Sequence, residues 1–283
     1  MENEWFRPPH NGGTKQTNRF IGSVEKRMTF DLKNGDCLQL LKKIPDKSVD
    51  LILADLPYNL TQSHWDNPLP LEKLWPLYER IIKDNGVIAL WAQSPFDKTL
   101  ACSNMKLYRY EWIVQKTHPT GFLNANRMPL KAHENVLIFY KSLPKYHPQK
   151  TFGHERKISK ASHHVNSAKT ENYGNYKFVS YDSTERYPID VLKFKWDTQK
   201  SKGHSAQKPV AALEYFIKTY TDQGDVVLDN VMGYGSTAVA AHNLDRNFIG
   251  MEIDKEIFNG ALLRISMQTG KSIEELIEEG KAS

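Results

Sequence analysis

Short apolar runs alternate with amphipathic segments along most of the chain. The letters VDLILA at residues 49–54 form an apolar run, which is typical of a strand buried on both faces of a sheet. Val210, Leu213, Ile217 and Tyr220 recur at helical spacing, behind a proline that suits the first turn of a helix. Further predicted strands cover residues 28–32, 87–91, 111–115, 135–140, 226–228 and 247–251. Further predicted helices cover residues 37–44, 71–83 with Gly86 as its stop, 235–244 and 255–267, followed by an acidic helical tail.

Strands that alternate with helices predict an α/β fold, with a mostly parallel sheet and helices on both faces. The regular pattern lapses after Tyr140 and returns near Gln207. We therefore predict one α/β domain whose two halves flank an insertion. The predicted divisions are a flexible arm at 1–27, a first half at 28–144, the insertion at 145–203, a second half at 204–268 and an acidic tail at 269–283.

The insertion is more basic than the rest of the chain. The whole chain of 283 residues carries a formal charge of +5, yet residues 145–208 hold 13 Lys and Arg against 6 Asp and Glu. The remainder holds 25 basic against 27 acidic residues. A basic segment in a nearly neutral body is expected of a protein that binds a polyanion. A solvated, lysine-rich surface insertion is the alternative.

Composition excludes several classes of protein. No apolar run approaches the ~20 residues that a membrane span needs, and residues 1–15 lack the apolar core of a signal peptide. Cys37 and Cys102 are the only cysteines, which argues against a disulfide framework or a zinc site. Their scarcity suits a reducing cytoplasm, so we expect a cytoplasmic protein without membrane partners or a metal.

A glycine-rich turn joins a predicted strand to a predicted helix at residues 229–237, which read DNVMGYGST. Glycines let the backbone approach a ligand closely, and the following helix N-terminus favours polar or negative groups. The next strand ends near Glu252 and Asp254, where a carboxylate can accept hydrogen bonds from both ribose hydroxyls. This pattern predicts a nucleoside-containing cofactor, although a tight strand-to-helix connection would read similarly. A dinucleotide is disfavoured because no third glycine follows.

A second candidate site is the tetrapeptide at residues 55–58, which follows the buried strand 49–54 directly. Asp55 offers a carboxylate, Leu56 a neighbouring carbonyl held beside Pro57, and Tyr58 a ring that can stack on a planar base. Two acceptors on one amino group orient its lone pair and stabilise the charge that develops on nitrogen during methylation. Taken alone, the tetrapeptide also fits an ordinary turn.

The order of these motifs resembles the amino-methyltransferases of DNA, in the permuted beta group where the catalytic motif precedes the cofactor motif. The resemblance covers roughly residues 30 to 265 and includes Gln207-Lys208-Pro209 and the letters GMEID at 250–254. It implies a Rossmann-like, seven-stranded methyltransferase sheet and S-adenosyl-L-methionine as the methyl donor.

The resemblance also implies a role for each matching residue. Asp55 and the Leu56 carbonyl would hold the target amine, and Tyr58 would stack on the flipped base. Asp36 would approach the cofactor's adenine, although Gly-Asp before a helix is also a routine N-cap. The implied cofactor-binding residues are Asp36, Lys208, Pro209, Asp229, Met232, Gly233, Gly235, Ser236, Thr237, Glu252 and Asp254.

Four positions depart from the family pattern. Leu56 stands where the family usually has proline, which keeps the carbonyl but loses the fixed φ. Asn230, Val231 and Tyr234 replace Pro, Phe and Ser in the cofactor turn. We expect Val231 to stack less well on the cofactor's adenine and Tyr234 to put a bulky ring at the mouth of the pocket.

The sequence therefore predicts a DNA adenine N6-methyltransferase that flips its target base and transfers the methyl group in line. N4-methylation of cytosine is the alternative within enzymes, since both amines suit the same acceptors, and a DNA-binding protein that has lost catalysis is the other. The resemblance adds DNA, a homodimer and a cognate restriction endonuclease as partners. By position, the insertion resembles the target-recognition region, with aromatic residues among its basic ones. They are Tyr173, Tyr176, Phe178, Tyr181, Tyr187, Phe194 and Trp196.

A loop at residues 120–134 is predicted between two strands of the first half. We expect it to lie at the target-base pocket, with Phe122 or His133 near the flipped base. A histidine satisfied within its own loop is the commoner case. The acidic tail is predicted to present a solvated helix face.

Overall fold

A computed structural model describes residues 28–58, 68–160, 169–170, 174–175, 180–195 and 207–282. The predicted arm at 1–27 lies outside these residues, as do Tyr173, Tyr176, Phe178 and Trp196 of the insertion. The strands are β1 (Phe30–Asn34), β2 (Val49–Asp55), β3 (Ile82–Ala92), β4 (Tyr108–Thr120), β5 (Lys131–Phe139), β6 (Lys157–Ser159), β7 (Lys169–Thr170), β8 (Gly174–Asn175), β9 (Tyr181–Ser183), β10 (Val191–Lys193), β11 (Val226–Asp229) and β12 (Asn247–Glu252).

The central sheet has eight strands among the described residues, in the order β1-β12-β11-β2-β3-β5-β4-β10. All neighbouring pairs are parallel except those of β5, which runs antiparallel to both β3 and β4. The prediction of a mostly parallel α/β sheet is confirmed. The predicted count of seven strands is not, because the three-residue strand β10 pairs with β4 at one edge.

The helices are α1 (Cys37–Leu40), α2 (Leu71–Ile81), α3 (Phe96–Ser103), α4 (Val210–Tyr220), α5 (Ser236–Asn243), α6 (Lys255–Thr269) and α7 (Ile273–Ala282). Sequence analysis missed α3, whose two turns are too short to establish a hydrophobic period. Gly86 does not stop a helix. It lies inside β3, where a Cβ would stand 2.9 Å from the Asp50 carbonyl oxygen of the neighbouring strand. None of the described helices combines the length and the apolar character that a membrane crossing needs.

Two hydrophobic layers cover the faces of the sheet. Alternating side chains of β2 divide between them: Leu51 and Leu53 pack with residues of α4, α5 and α6, whereas Ile52 and Ala54 pack with residues of α1, α2 and α3. This alternation follows from the period of two in a strand. The acidic α7 exposes Glu274, Glu275 and Glu278 but buries Leu276 completely in the first layer, so the helix is attached to the domain.

The described residues between 150 and 188 belong to a compact unit that is separate from the unit of the central sheet. Its framework is the antiparallel pair β6–β9, extended by a bridge between Thr151 and Arg186. Arg156 and Asp182 form a bidentate ion pair at 2.8 and 2.7 Å. The predicted boundaries of the insertion, 145 and 203, stay a prediction.

Candidate active site

The two sequence motifs end neighbouring strands at the centre of the sheet. Strand β11 pairs with β2 through Val227 with Leu51 and Leu228 with Ile52. Strand order reverses at this pair, because β12 and β1 lie beyond β11 and β3 lies beyond β2. Ligands of doubly wound sheets bind outside the carboxyl ends of strands at such a reversal. The strands end in Asp229 and Asp55, so both motifs open onto this position.

A pocket of about 940 Å³ opens at the same place. Thirteen of the fifteen predicted site residues line it: Asp36, Asp55, Leu56, Pro57, Tyr58, Lys208, Asp229, Met232, Gly233, Ser236, Thr237, Glu252 and Asp254. Pro209 and Gly235 do not line it. Pro209 is the N-cap of α4, and Gly235 begins α5 with a φ of 74°. Within the described chain, no group of three His, Cys, Asp or Glu side chains is arranged to hold a metal.

Asp229, the acidic residue of the cofactor turn, is deeply buried, with 4% of its surface exposed. It accepts hydrogen bonds from Thr237 Oγ1 at 2.7 Å and from the Val231 amide at 3.1 Å. Burial raises the pKa of Asp229 to about 7, although both hydrogen bonds work in the opposite direction. A cation placed beside this carboxylate would favour its ionised form.

Glu252 is tied to the backbone at both oxygens. One accepts from the Gly233 amide at 3.0 Å and the other from the Asp254 amide at 2.9 Å. Burial raises the pKa of Glu252, and these amides counteract part of the rise. The bonds fix the carboxylate beside the glycine turn, with lone pairs left for the hydroxyls of a ribose.

Asp254 and Asp36 both cap helices. Asp254 accepts hydrogen bonds from the Glu256 and Ile257 amides at the start of α6, at 2.8 and 3.0 Å. Asp36 accepts from the Leu38 amide at 2.9 Å at the start of α1. Both residues still border the pocket. Their positions follow from the N-cap preference of aspartate, so any contact with a cofactor would come in addition to capping.

Gly233 of the glycine turn lines the pocket, and Gly235 leads into α5. Gly233 and Gly235 have φ angles of 52° and 74°, a region that favours glycine. A Cβ at Gly235 would stand 2.9 Å from the Ile265 side chain, so this glycine also lets α6 approach the turn. The turn, the buried carboxylate beside it and Glu252 together fit the amino-acid and ribose parts of S-adenosylmethionine.

The substituted positions of the cofactor turn have structural partners. Asn230 is almost completely buried and accepts a hydrogen bond from Tyr78 Oη of α2 at 2.5 Å. The ring of Tyr234 lies against Gly260 of α6, where a Cβ would come within 2.7 Å of the ring. The ring was expected at the mouth of the pocket. It borders the pocket but packs on α6, because Gly260 leaves space for it.

Asp55 lies within a group of polar contacts at the other end of the pocket. Tyr58 Oη donates to Asp55 Oδ1, and Lys208 Nζ donates to Asp55 Oδ2 at 2.5 Å. Sequence analysis assigned Lys208 to the cofactor, whereas the structure places its ammonium on the predicted catalytic carboxylate. Leu56 is 2% exposed, so packing of its side chain restrains the carbonyl that lacks a proline ring.

Lys208 also contacts a second carboxylate, on β5. Its Nζ lies 3.1 Å from Glu134 Oε2, and Glu134 Oε1 lies 2.7 Å from Lys116 Nζ of β4. Burial disfavours the ionised form of Glu134. The ammonium groups of Lys208 and Lys116 have the larger combined effect and lower the pKa of Glu134. Lys208 is the one cation among the described residues that lowers the pKa of Asp55, and burial together with the nearby Glu134 carboxylate outweighs it, so this pKa is raised. The pKa of Lys208 is raised, since the two carboxylates outweigh the effect of its own burial.

Comparison with known proteins identifies the family to which this arrangement belongs. Residues 49–263 match the family described as DNA methylase. The chain belongs to this DNA methylase family. This DNA methylase is 29% identical over 268 residues to Type II methyltransferase M.BglII of Bacillus subtilis, which covers 84% of this chain and 69% of that one. It is 26% identical over 260 residues to DNA adenine methyltransferase YhdJ of Escherichia coli strain K12, covering 88% and 86% respectively.

A solved structure shares the fold of this DNA methylase. The crystal structure of the M1.HpyAVI–SAM complex superposes with a TM-score of 0.56 at 23% identity. The match covers 83% of this chain and 99% of that chain. The architecture derived from the strand order is therefore the architecture of known methyltransferases.

Sequence analysis missed several residues that border the pocket. Glu134 and Lys116 were not assigned a role, and Trp91 was read only as part of a buried strand. Phe122 and His133 were expected near the base, yet neither lines the pocket, and residues 131–134 belong to strand β5. The only signal for Glu134 was an acid beside a predicted strand, which is too common to be informative.

Proposed function

We propose that this DNA methylase transfers a methyl group from S-adenosylmethionine to the N6 amine of adenine in DNA. The observation that carries the proposal is a single pocket lined by Asp55 and Leu56, the proposed amine-binding end, and by Asp229 and Glu252, the proposed nucleoside-binding end. Neighbouring strands β2 and β11 hold the two ends together. When bound, S-adenosylmethionine supplies an electrophilic methyl group.

The chain's own residues orient the amine. The Asp55 carboxylate and the Leu56 carbonyl accept hydrogen bonds from its two N–H groups, which turns the nitrogen lone pair toward the cofactor end of the pocket. The same acceptors stabilise the positive charge that develops on nitrogen. Tyr58, whose ring lies 5.2 Å from that of Phe96, is the aromatic surface offered to the base.

Both oxygens of the Asp55 carboxylate already accept a hydrogen bond. Tyr58 and Lys208 occupy the two oxygens of this carboxylate in the structure. Each oxygen keeps a further lone pair that can accept a hydrogen bond from the arriving amine. Glu134 provides an alternative partner for Lys208 at 3.1 Å, so the ammonium keeps a counter-charge when Asp55 turns to the amine.

Adenine is the proposed base because an adenine methyltransferase is among the relatives and Asp55 starts the catalytic motif. N4-methylation of cytosine would use the same acceptors and is the competing outcome. A homodimer, a cognate restriction endonuclease and a cytoplasmic location belong to the same proposal. The relatives named Type II methyltransferases support a cognate endonuclease as partner. The two cysteines, neither of which forms a disulfide, support a cytoplasmic location.

The test is incubation of the full chain with unmethylated plasmid DNA and methyl-labelled S-adenosylmethionine, followed by digestion to nucleosides. We expect label in N6-methyladenosine and at one recurring sequence position, which sequencing of the product identifies. Label in N4-methylcytosine would overturn the base assignment. No label, with DNA bound and cofactor ignored, would indicate a DNA-binding protein that has lost catalysis.

Two variants distinguish an effect on catalysis from a general effect of losing a carboxylate. Asp55→Ala should lose at least a hundredfold in turnover, by analogy with loss of one preorganised group at a site of developing charge, and should keep cofactor binding. Asp84→Ala removes a carboxylate that is 60% exposed and outside the pocket, so it should behave as the wild type. Near-normal turnover in Asp55→Ala would remove this residue from the mechanism.

A further inference from the structure

The hairpin formed by β4 and β5 connects the pocket with an exposed apolar tip. Lys116, His118 and Thr120 of β4 line the pocket, and Thr120 pairs with Lys131 at the last register position of the hairpin. Gly121 follows with a φ of 90° and turns the chain away. Phe122 is two residues beyond Thr120, so its Cα lies at most about 7 Å from the pocket rim along the chain.

The tip is apolar although all ten of its residues, 121–130, are exposed. Phe122 is 80% exposed and Leu123 is 99% exposed, and Met128, later in the same tip, is 51% exposed. Single exposed apolar residues are common on protein surfaces, but consecutive large ones at the end of a hairpin form a patch that favours a partner.

The tip is also an ordered turn. Residues Phe122–Asn124 form a 3-10 helix, and the Arg127 and Met128 amides both donate to the Asn124 carbonyl, at 2.9 and 3.0 Å. Where the tip joins the two strands, Lys131 Nζ donates to Gln93 Oε1 at 3.3 Å. The apolar side chains therefore stand on a preformed support that is attached to the pocket wall.

Charge indicates which partner covers this tip. Between Glu111 and Glu134 the chain contains Lys116, Arg127 and Lys131 and no acidic residue. An apolar tip flanked by cations suits a polyanion whose interior is apolar and aromatic. Duplex DNA has this character, because its phosphates lie outside and its stacked bases inside. Proteins that kink or open duplexes insert Phe, Leu or Met side chains between base steps.

We propose that Phe122 and Leu123 enter the duplex at the step from which the target base is extruded and keep the base pair open. The inference rests on the proposed function, because it takes DNA as the substrate. The hairpin then has two tasks at its two ends. Lys116 and Glu134 border the pocket that receives the base, and the tip fills the gap that the base leaves.

The test compares two duplexes that carry the methylated position identified above. One pairs the target adenine normally, and the other has an abasic site opposite it, so unpairing costs little. The Phe122→Ala/Leu123→Ala double variant should lose at least tenfold in kcat/KM on the paired duplex. On the abasic duplex it should come within about threefold of the wild type, with cofactor affinity unchanged.

A matched variant and two outcomes complete the experiment. Leu143→Ala removes an apolar side chain that is 81% exposed and outside the hairpin, and it should match the wild type on both duplexes. Equal loss by the double variant on both duplexes, or no loss on either, overturns the proposal. Both results presuppose an active wild type, so failure of the wild type to label DNA counts against the proposed function instead.

Discussion

Asp229 makes cofactor affinity depend on pH. Its carboxyl group is 4% exposed and has a pKa of about 7, raised by burial. The proposed site brings the cationic amino group of S-adenosylmethionine to this carboxyl group. That cation favours the ionised form, so binding releases a proton from the fraction of molecules in which Asp229 is protonated. Affinity should therefore rise with pH until Asp229 is ionised in the free protein.

The size of the effect follows from the pKa. At pH 5.5 only about one free molecule in thirty has an ionised Asp229, whereas at pH 7.5 about three quarters do, for a pKa of about 7. The dissociation constant should fall about 25-fold between these pH values, which equals about 2 kcal/mol. Above about pH 8 the cofactor's α-amino group loses its own proton, so affinity should decline again.

Isothermal titration calorimetry measures both the dissociation constant and the number of protons released when the cofactor binds. Titrations at pH 7 in two buffers of different ionisation enthalpy should give about half a proton released per cofactor bound. Asp229→Asn is the matched variant, because it keeps the side chain's size and removes its titration. It should bind the cofactor more weakly and with little pH dependence, and any contribution from Glu252 would persist in it.

Either of two results would refute this reasoning. A wild-type affinity that is flat between pH 5.5 and 7.5 would mean that Asp229 does not titrate there or does not meet a cation. An unchanged pH profile in Asp229→Asn would assign the proton to another group.

Three further perturbations test the contacts of the site and the fold. Lys208→Met leaves the Asp55 and Glu134 carboxylates without a shared cation, so urea unfolding should show a loss of about 3 kcal/mol at pH 7 and a smaller loss at pH 5, where the carboxyls can protonate. Equal losses at both pH values would contradict the ion network. Gly235→Ala places a Cβ at a φ of 74° and against α6, so it should destabilise the fold by 1–3 kcal/mol, roughly, and weaken cofactor binding in the same titration. Leu276→Ala should cost about 2–4 kcal/mol of unfolding free energy, whereas a cost below about 0.5 kcal/mol would mean that α7 does not dock.

Local signals in the sequence located most elements correctly. The apolar run at residues 49–54 became β2, and the period of Val210, Leu213 and Ile217 became α4. These signals work because burial on two faces of a strand or one face of a helix imposes a period on nearby residues. Boundaries were less certain: α2 ends at Ile81 and β3 begins at the next residue, with no turn between them to mark the change.

Ion partners depend on strand order, which no local signal reports. Lys208 comes from the start of α4 and Glu134 from β5, which runs antiparallel to its neighbours. Their contact exists because the sheet brings β5 next to β3 and because α4, which Lys208 precedes, packs on the face of the central strands. Likewise, the partners of Tyr234 and Asn230 lie on α6 and α2, so the effect of these substitutions could be seen only after the chain had folded.

The sequence by itself determined the chemistry available at the two strand ends and the order of the motifs, because glycine conformations, N-caps and buried strands are decided within a few residues. Tertiary structure alone decided which charges share the pocket, that an eighth strand closes one edge, and that the tip of the β4–β5 hairpin stands exposed beside the site. These features join residues that are far apart in the chain, and only the packing of the whole sheet brings them together.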